Sequence, residues 1–479
     1  MKVEFGAWIP DQSIFDPSLS RDLYNVRPIA GGWAPMPTWV PLSVALPGDV
    51  AGGITVRDNQ GNFKVFAGTA NGIYQYNSDT FDWIDRTAGG SSWSLPEGAH
   101  WKFLQNGNYL LATNLNDVLW ELDLSGGATF VEIPNAPKGA YVGSVGEYTI
   151  LGSLNGIPER IQWSEIGTRY DWEVGKGGAD FQDFPDGGGI QGIINGESGA
   201  YVLQESAIRQ MQYTGGSYTF SFGKANESKG AVSPHSIIQD NNQFFFMAED
   251  GFYANADATA IGAEKVDRTV IENMKLDDIP IIQGSSDPVD KMIWWLIPRE
   301  DGTNTMVGYD WQLDRWSLAF VDLKFLLQGN TPGVTLEGLD AYSASIDTLG
   351  ISLDSRIWKG GRPTFAGFNF ENKFGFFSGQ PMEAVLETTD SSFNPNKHAF
   401  VSDFHCLTDA INHVGQIATK QNPAALHSWS GDIVTDTGTA NMSCRADDMF
   451  HRFRVTVPAN EGWNFIHGVE PTIRGGGRR

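Results

Sequence analysis

The chain has 479 residues, 57 acidic and 33 basic side chains and a formal net charge of −24. That balance argues against a protein that grips nucleic acid by neutralising phosphates, which needs a basic face. Its 16 Trp, 29 Phe and 13 Tyr are strand formers, its 56 Gly and 23 Pro punctuate turns, and helix-period patterns are scarce.

Residues 1 to 50 are rich in Pro, Trp and Asp, as in WIPDQ and NVRPIAGGWAPMPTWVPL, and hold no complete repeat. They read as an N-terminal extended segment packed over the domain C-terminal to it, able to lend a strand that closes a ring. The first residues, MKVEFGAWIPDQS, lack the apolar stretch of a secretory signal, so a soluble, cytosol-like compartment is expected.

From residue 51 to 329 one pattern recurs six times: a short aromatic and β-branched strand, a Gly, Asn or Asp turn, and a second strand. The copies are FKVFAGTANGIYQYN, NYLLATNLNDVLWELD, EYTILGSLNGIPERIQW, GAYVLQESAIRQMQY, QFFFMAEDGFYANAD and MIWWLIP…TMVGYDW. Each is followed by an outer strand marked by Trp83, Phe130, Trp172, Phe220, Val266 or Trp316, at spacings of 47, 42, 48, 46 and 50 residues. This is the period of four-stranded propeller blades, which cannot bury both faces alone and so stack around a ring. The apolar runs Phe244 to Met247 and Met292 to Ile297 are too short to span a membrane and read as strands buried on both faces. Trp120 and Trp294 are expected between blades.

Beyond residue 330 the strands lengthen and alternate polar with apolar, as in MEAVLETT, FNPNKHAFVSDFHCL and HRFRVTV. Residues 330 to 479 therefore read as a C-terminal antiparallel β-sandwich-like domain with one wet face. The expected fold is all-β: a six-bladed β-propeller-like array over 51 to 329, flanked by the extended segment and the sandwich.

Chemistry-bearing motifs are sparse. Gly187 to Gly192 satisfies GxGxxG, but the dinucleotide fingerprint needs a helix after it and here a strand pattern comes next. His398, His405, His413, His427, His451 and His467 crowd the C-terminal region without HExxH or CxxC spacing, so no metal is assigned. Cys406 and Cys444 lie 38 residues apart; one bridge is feasible, and reduced thiols are expected. Asp79, Asp82 and Asp85 sit at an outer-strand turn and read as turn caps rather than paired catalytic carboxylates. No catalytic, cofactor or metal residue is predicted. The basic C-terminus, with Arg452, Arg454, Arg474, Arg478 and Arg479, is the candidate docking element against an acidic neighbour.

Three stretches resemble the tail nozzle or tail-hub proteins of short-tailed bacteriophages, a group that includes packaged-DNA stabilisation proteins. They are PDQ, NVRP and GGWAPMP near the N-terminus; LDSRIWKGG followed by FENKFGFFSGQPMEAVLETTD; and the terminal HRFRV, HGVEP and GGRR. The resemblance implies a homo-oligomeric ring of six copies in the virion tail, below portal and adaptor proteins and meeting a fibre, spike or needle. Duplex DNA would pass through the ring's lumen without specific binding, with retention set by a loop constriction, for which 185 to 192 and 326 to 334 are candidates. It implies no catalytic residues and no membrane insertion. The competing expectation is a propeller that binds or cleaves bacterial surface glycans, which would require two carboxylates facing the central channel.

Overall fold

The computed structural model describes residues 1–475 apart from 90–92, 96–97, 217, 274–281, 300–303, 332–338, 340–357, 396 and 437. Nearly every element is a strand. The six sequence copies fold as the second and third strands of six four-stranded antiparallel sheets, for example Phe63–Gly68 with Ile73–Asn77 and Met292–Pro298 with Asn304–Asp310. Tight turns join them to the first strands: Gly107, at φ +58°, lets Lys102–Asn106 fold back on Tyr109–Thr113.

The described residues form seven such sheets, not six. The seventh comprises Leu323–Asn330, Pro363–Asn369, Lys373–Pro381 and, as its outer strand, Pro37–Ala45 from near the N-terminus. Its own segment is interrupted between residues 330 and 363, and its fourth strand comes from the other end of the chain, so no local repeat announces it. Each junction between neighbouring blades has its own apolar cluster, including one that joins the seventh blade to the first, so the ring is closed. Trp120 lies between the first and second blades and Trp294 between the sixth and seventh, 6% and 0% exposed. The outer markers are not equivalent. Trp83 and Trp316 are in outer strands and Phe220 begins one, but Phe130 precedes its strand, Trp172 lies in a connection, and Val266 precedes the short helix Asp267–Glu272.

The N-terminal segment is not draped over the ring. Its first 35 residues are woven into a sandwich with the C-terminal strands. One sheet runs in the order Asn441–Asp448, Ala399–Thr408, Ile466–Gly475, Gly32–Pro35, Val26–Ile29, with Val3–Glu4 also on Ile466–Gly475. The other runs Ala7–Trp8, Leu19–Tyr24, Ala384–Thr388, Phe450–Val457, Val414–Lys420, Ser428–Trp429, with Ile433–Val434 also on Val414–Lys420. The boundaries 1–50, 51–329 and 330–479 are thus replaced by a sandwich built from both chain ends, with the propeller, 37–381, inserted between them. The sandwich core is continuous with the apolar cluster between the fifth and sixth blades, through residues such as Trp8, Trp33 and Leu23. No helix among the described residues is long and apolar enough to cross a membrane.

Candidate functional site

The junction of sandwich and propeller gathers residues that lie far apart in the chain. Asn25 takes a left-handed conformation, φ +58°, tolerated by Asn, and this turns the chain from one sandwich sheet into the other. From there its backbone N–H donates to Leu318 O of the sixth blade at 2.8 Å, and its side chain accepts from Phe320 N at 2.9 Å. Its amide also donates to Glu383 O at 2.8 Å, on the returning chain. Arg27 pairs with Asp290 and donates through Nε to Pro35 O at 3.0 Å. Asp11 accepts from Arg268 N and Thr269 N, both at 2.9 Å, satisfying the otherwise orphaned start of the short helix. Trp33 is fully buried and donates through Nε1 to Phe5 O at 2.9 Å. Most of these residues belong to PDQ, NVRP and GGWAPMP, and in HGVEP the His467 Nδ1 lies 2.7 Å from Gly31 O. Of LDSRIWKGG, residues 353–357 lie outside the described residues, while FENKFGFFSGQP supplies the third strand of the seventh blade.

The candidate docking arginines separate. Arg452 is not on the surface. It is buried in an ion cluster whose centre is Asp390, itself fully buried, and donates to Asp390 Oδ1 at 2.8 Å and Glu387 Oε1 at 2.9 Å. Lys420 pairs with the second oxygen of Asp390, and His427 Nε2 lies 2.7 Å from the first. Arg454 is half-buried, donates to Glu387 Oε2 at 2.6 Å and lies over the Trp429 ring. Burial alone would raise the Asp390 pKa, but hydrogen bonds from Lys420 and His427 and the charge of Arg452 hold it below the ordinary carboxylate range. The cluster ties Ala384–Thr388, Val414–Lys420 and Phe450–Val457 together, so Arg452 serves the fold and is corrected as a docking residue. Arg474 is exposed on the last strand. Arg478 and Arg479 lie outside the described residues.

The histidines do not converge: besides His427 and His467, His398 and His405 face Asp447 and Glu470, and His413 and His451 are buried apart. Among the described residues no group of three metal-ligating side chains comes together. Cys406 and Cys444 are both free thiols. The two candidate constriction loops are tied down: Gly187 O accepts from Ser206 N, Gly188 O accepts from Gln204 Nε2, and residues 326 to 330 are inner strand. Residues 332 to 334 lie outside the described residues.

A second candidate, which no motif signalled, is a cavity of 540 Å³ on the ring axis, lined by inner strands of the first, second, fifth, sixth and seventh blades. His100 of the second blade stacks on His235 of the fifth with ring centres 3.7 Å apart, and Phe325 of the seventh lies 5.6 Å from His100. Since the second and fifth blades are not neighbours, this stack crosses and obstructs the axis. Lys102 donates to Pro234 O at 3.3 Å and sits 5.9 Å from the Tyr141 ring centre. Desolvation pulls its pKa down to about 8, and desolvation likewise pulls His100 to about 3 and keeps His235 neutral. No Asp or Glu is among the described residues lining this cavity.

No family model and no curated protein matches the chain. Among solved structures, it is similar to the extracellular domain of a hybrid two-component system from B. thetaiotaomicron, with TM-score 0.40 and 10% identity, covering 82% of this chain and 47% of that one. The chain thus spans about half the length of that relative. It is also similar to the Pan2 WD40 domain of Neurospora crassa, with TM-score 0.36 and 10% identity, over 60% of this chain and 88% of that one. The computationally designed Ika8 protein gives TM-score 0.35 and 9% identity, over 73% and 97%. At these scores none bears on what the chain does.

Proposed function

We propose that the chain is a structural virion protein, a tail nozzle or hub that closes the portal–tail channel of a short-tailed phage, retains packaged DNA and forms part of its exit conduit. The observation that carries this reading is that the N-terminal motifs resembling that family, PDQ, NVRP and GGWAPMP, meet with HGVEP at one junction. Asp11, Asn25 and Arg27 act there as fasteners between sandwich and propeller, and Trp33 and His467 brace the sandwich side of the same junction. Residues spent on holding two domains rigidly together suit an assembly part better than a catalyst. In this reading several copies, six in the related rings, enclose a lumen between them, bounded by portal or adaptor proteins above and a fibre, spike or needle below. The obstructed axis of a single propeller is not the conduit.

A glycan-cleaving propeller would place a carboxylate pair towards the ring axis. Among the described residues the axial cavity offers a lysine and two neutral imidazoles, with no carboxylate, which gives that alternative no support. The test is electron microscopy of the purified full chain, alone and with its virion neighbours. Closed rings are expected; single particles under all conditions would overturn the proposal. With a net charge of −24 the chain should also show no duplex DNA binding at physiological salt, since its overall charge repels phosphate.

A further inference from the structure

A cleft of about 520 Å³ opens where the sandwich, the short helix and the sixth blade meet, a volume within the range of small-molecule sites. Three arginines from three elements line it: Arg21 from Leu19–Tyr24, Arg268 from the helix, and Arg299 just after Met292–Pro298. Successive residues of a strand normally face opposite sides. Here Ser20 pairs with Thr388 and Asp22 with Glu387, so Arg21 is the extra residue of a bulge, and it and Asp22 both reach the cleft. Among the described residues Arg21 and Arg299 have no carboxylate partner; Arg299 lies 5.7 Å from the Phe320 ring centre, and Arg268 approaches only Asp11, at 3.9 Å. Of the two carboxylates in the wall, Asp22 is hydrogen-bonded to the Tyr24 hydroxyl and Glu272 sits at the exposed end of the helix. The cleft therefore holds more guanidinium than carboxylate, in a chain whose net charge is −24.

We propose that this cleft binds a tetrahedral oxyanion of the phosphate class, as the free ion or as the head of a monoester, independently of the assembly role. Guanidinium forks match oxyanion geometry and bond it in pairs of N–H groups. Forks arriving from three elements suit a head with three or more acceptor oxygens, whereas a planar carboxylate has two and would leave one arginine idle. Contact with these arginines outweighs repulsion from the acidic body, because charges more than about 8 Å away are largely screened at physiological salt.

The test uses the full chain at fixed ionic strength, at a pH where phosphate is doubly charged, with titration calorimetry against inorganic phosphate, phenyl phosphate and benzoate. The tighter of the two phosphates should bind roughly tenfold or more tightly than benzoate, the worth of one charged hydrogen bond. Tighter inorganic phosphate identifies the free ion as the ligand, and tighter phenyl phosphate identifies an ester. Arg21→Gln and Arg299→Gln, both at half-buried positions, should each weaken phosphate roughly tenfold while leaving the melting temperature of the unliganded chain unchanged. Arg474→Gln, on the last strand, should leave binding as it is. Should one cleft variant fail to fold, the other and the phosphate–benzoate comparison on the parent chain still decide. No saturable phosphate binding, benzoate binding as tightly, or an unchanged affinity in either folded cleft variant would each overturn the proposal.

Discussion

His467 Nδ1 lies 2.7 Å from the carbonyl oxygen of Gly31, joining residues 436 positions apart. Ile466 pairs beside it with Trp33 in the same sheet, so the two ends of the chain complete one domain between them. A chain beginning at residue 48 would lack five sandwich strands and the outer strand of the seventh blade. Such a truncation should lose both domains, read as a non-cooperative melt and rapid proteolysis. A stable propeller from that fragment would contradict the closure described here.

Trp120 and Trp294 each fill a space between blades. Replacing either by Ala should cost roughly 3 to 5 kcal/mol, from lost burial plus the cavity left behind. Denaturant unfolding of the two variants gives the number directly, and costs below about 0.5 kcal/mol would place these residues at a surface.

The ion cluster reverses the expectation for the basic C-terminus. Arg452→Glu sets a third carboxylate beside Asp390 and Glu387 and should destabilise the sandwich by about 3 to 5 kcal/mol, as should Asp390→Ala, which strands buried cations. Arg474→Glu, at an exposed position, should stay within about 0.5 kcal/mol and so tests docking alone. Because the Asp390 pKa is depressed in the folded state, its stabilisation holds above the ordinary carboxylate pKa of about 3.9 and is lost as pH falls below it. Melting temperature followed from pH 6 to pH 2 should drop less steeply in Asp390→Asn than in the parent.

Asp267 behaves in the opposite sense. Burial raises its pKa to about 7, against a hydrogen bond from Phe252 N and with Asp11 adding to the rise. A carboxyl protonated in the folded state and ionised in the unfolded one stabilises fully below about pH 4. Its contribution declines as pH climbs from there to about 7 and is flat beyond. Asp267→Asn should therefore raise the melting temperature at pH 8 and leave it nearly unchanged at pH 4. An equal shift at both would assign the effect to packing against Gly251 and Gly262, which lie close to this carboxyl.

The sequence disclosed the parts of the fold that are local. Strand, turn and strand within twenty residues, as in NYLLATNLNDVLWELD, were readable because each hairpin carries its own aromatic alternation and turn. The seventh blade was hidden because Pro37–Ala45 reaches its partner, Lys373–Pro381, only after the whole ring has been built. Val266 matched the period of an outer strand, yet it precedes a helix whose start is satisfied by Asp11, from the opposite end of the chain. Arg452 looked like part of a basic tail because Glu387 and Asp390, more than sixty residues earlier, are invisible to a linear reading. The axial cavity left no motif, since His100, Lys102, His235 and Ser286 are single residues on different blades.

The chain crosses between sandwich and propeller twice, and the two crossings run side by side: Pro37 lies opposite Pro381, and Met382 N donates to Met36 O at 2.9 Å. Mechanically this is a double tether. A pull applied between the domains is shared by two parallel strands clamped to each other, instead of falling on one linker that would peel open residue by residue. Extension would require shearing both crossings at once together with the Asn25 and Arg27 contacts beside them. Twisting of one domain against the other is resisted by the same pair. A component seated under a pressurised genome would meet sudden axial and torsional load at that point, and single-molecule stretching from residues in the two domains should show one high-force event with no gradual yielding before it.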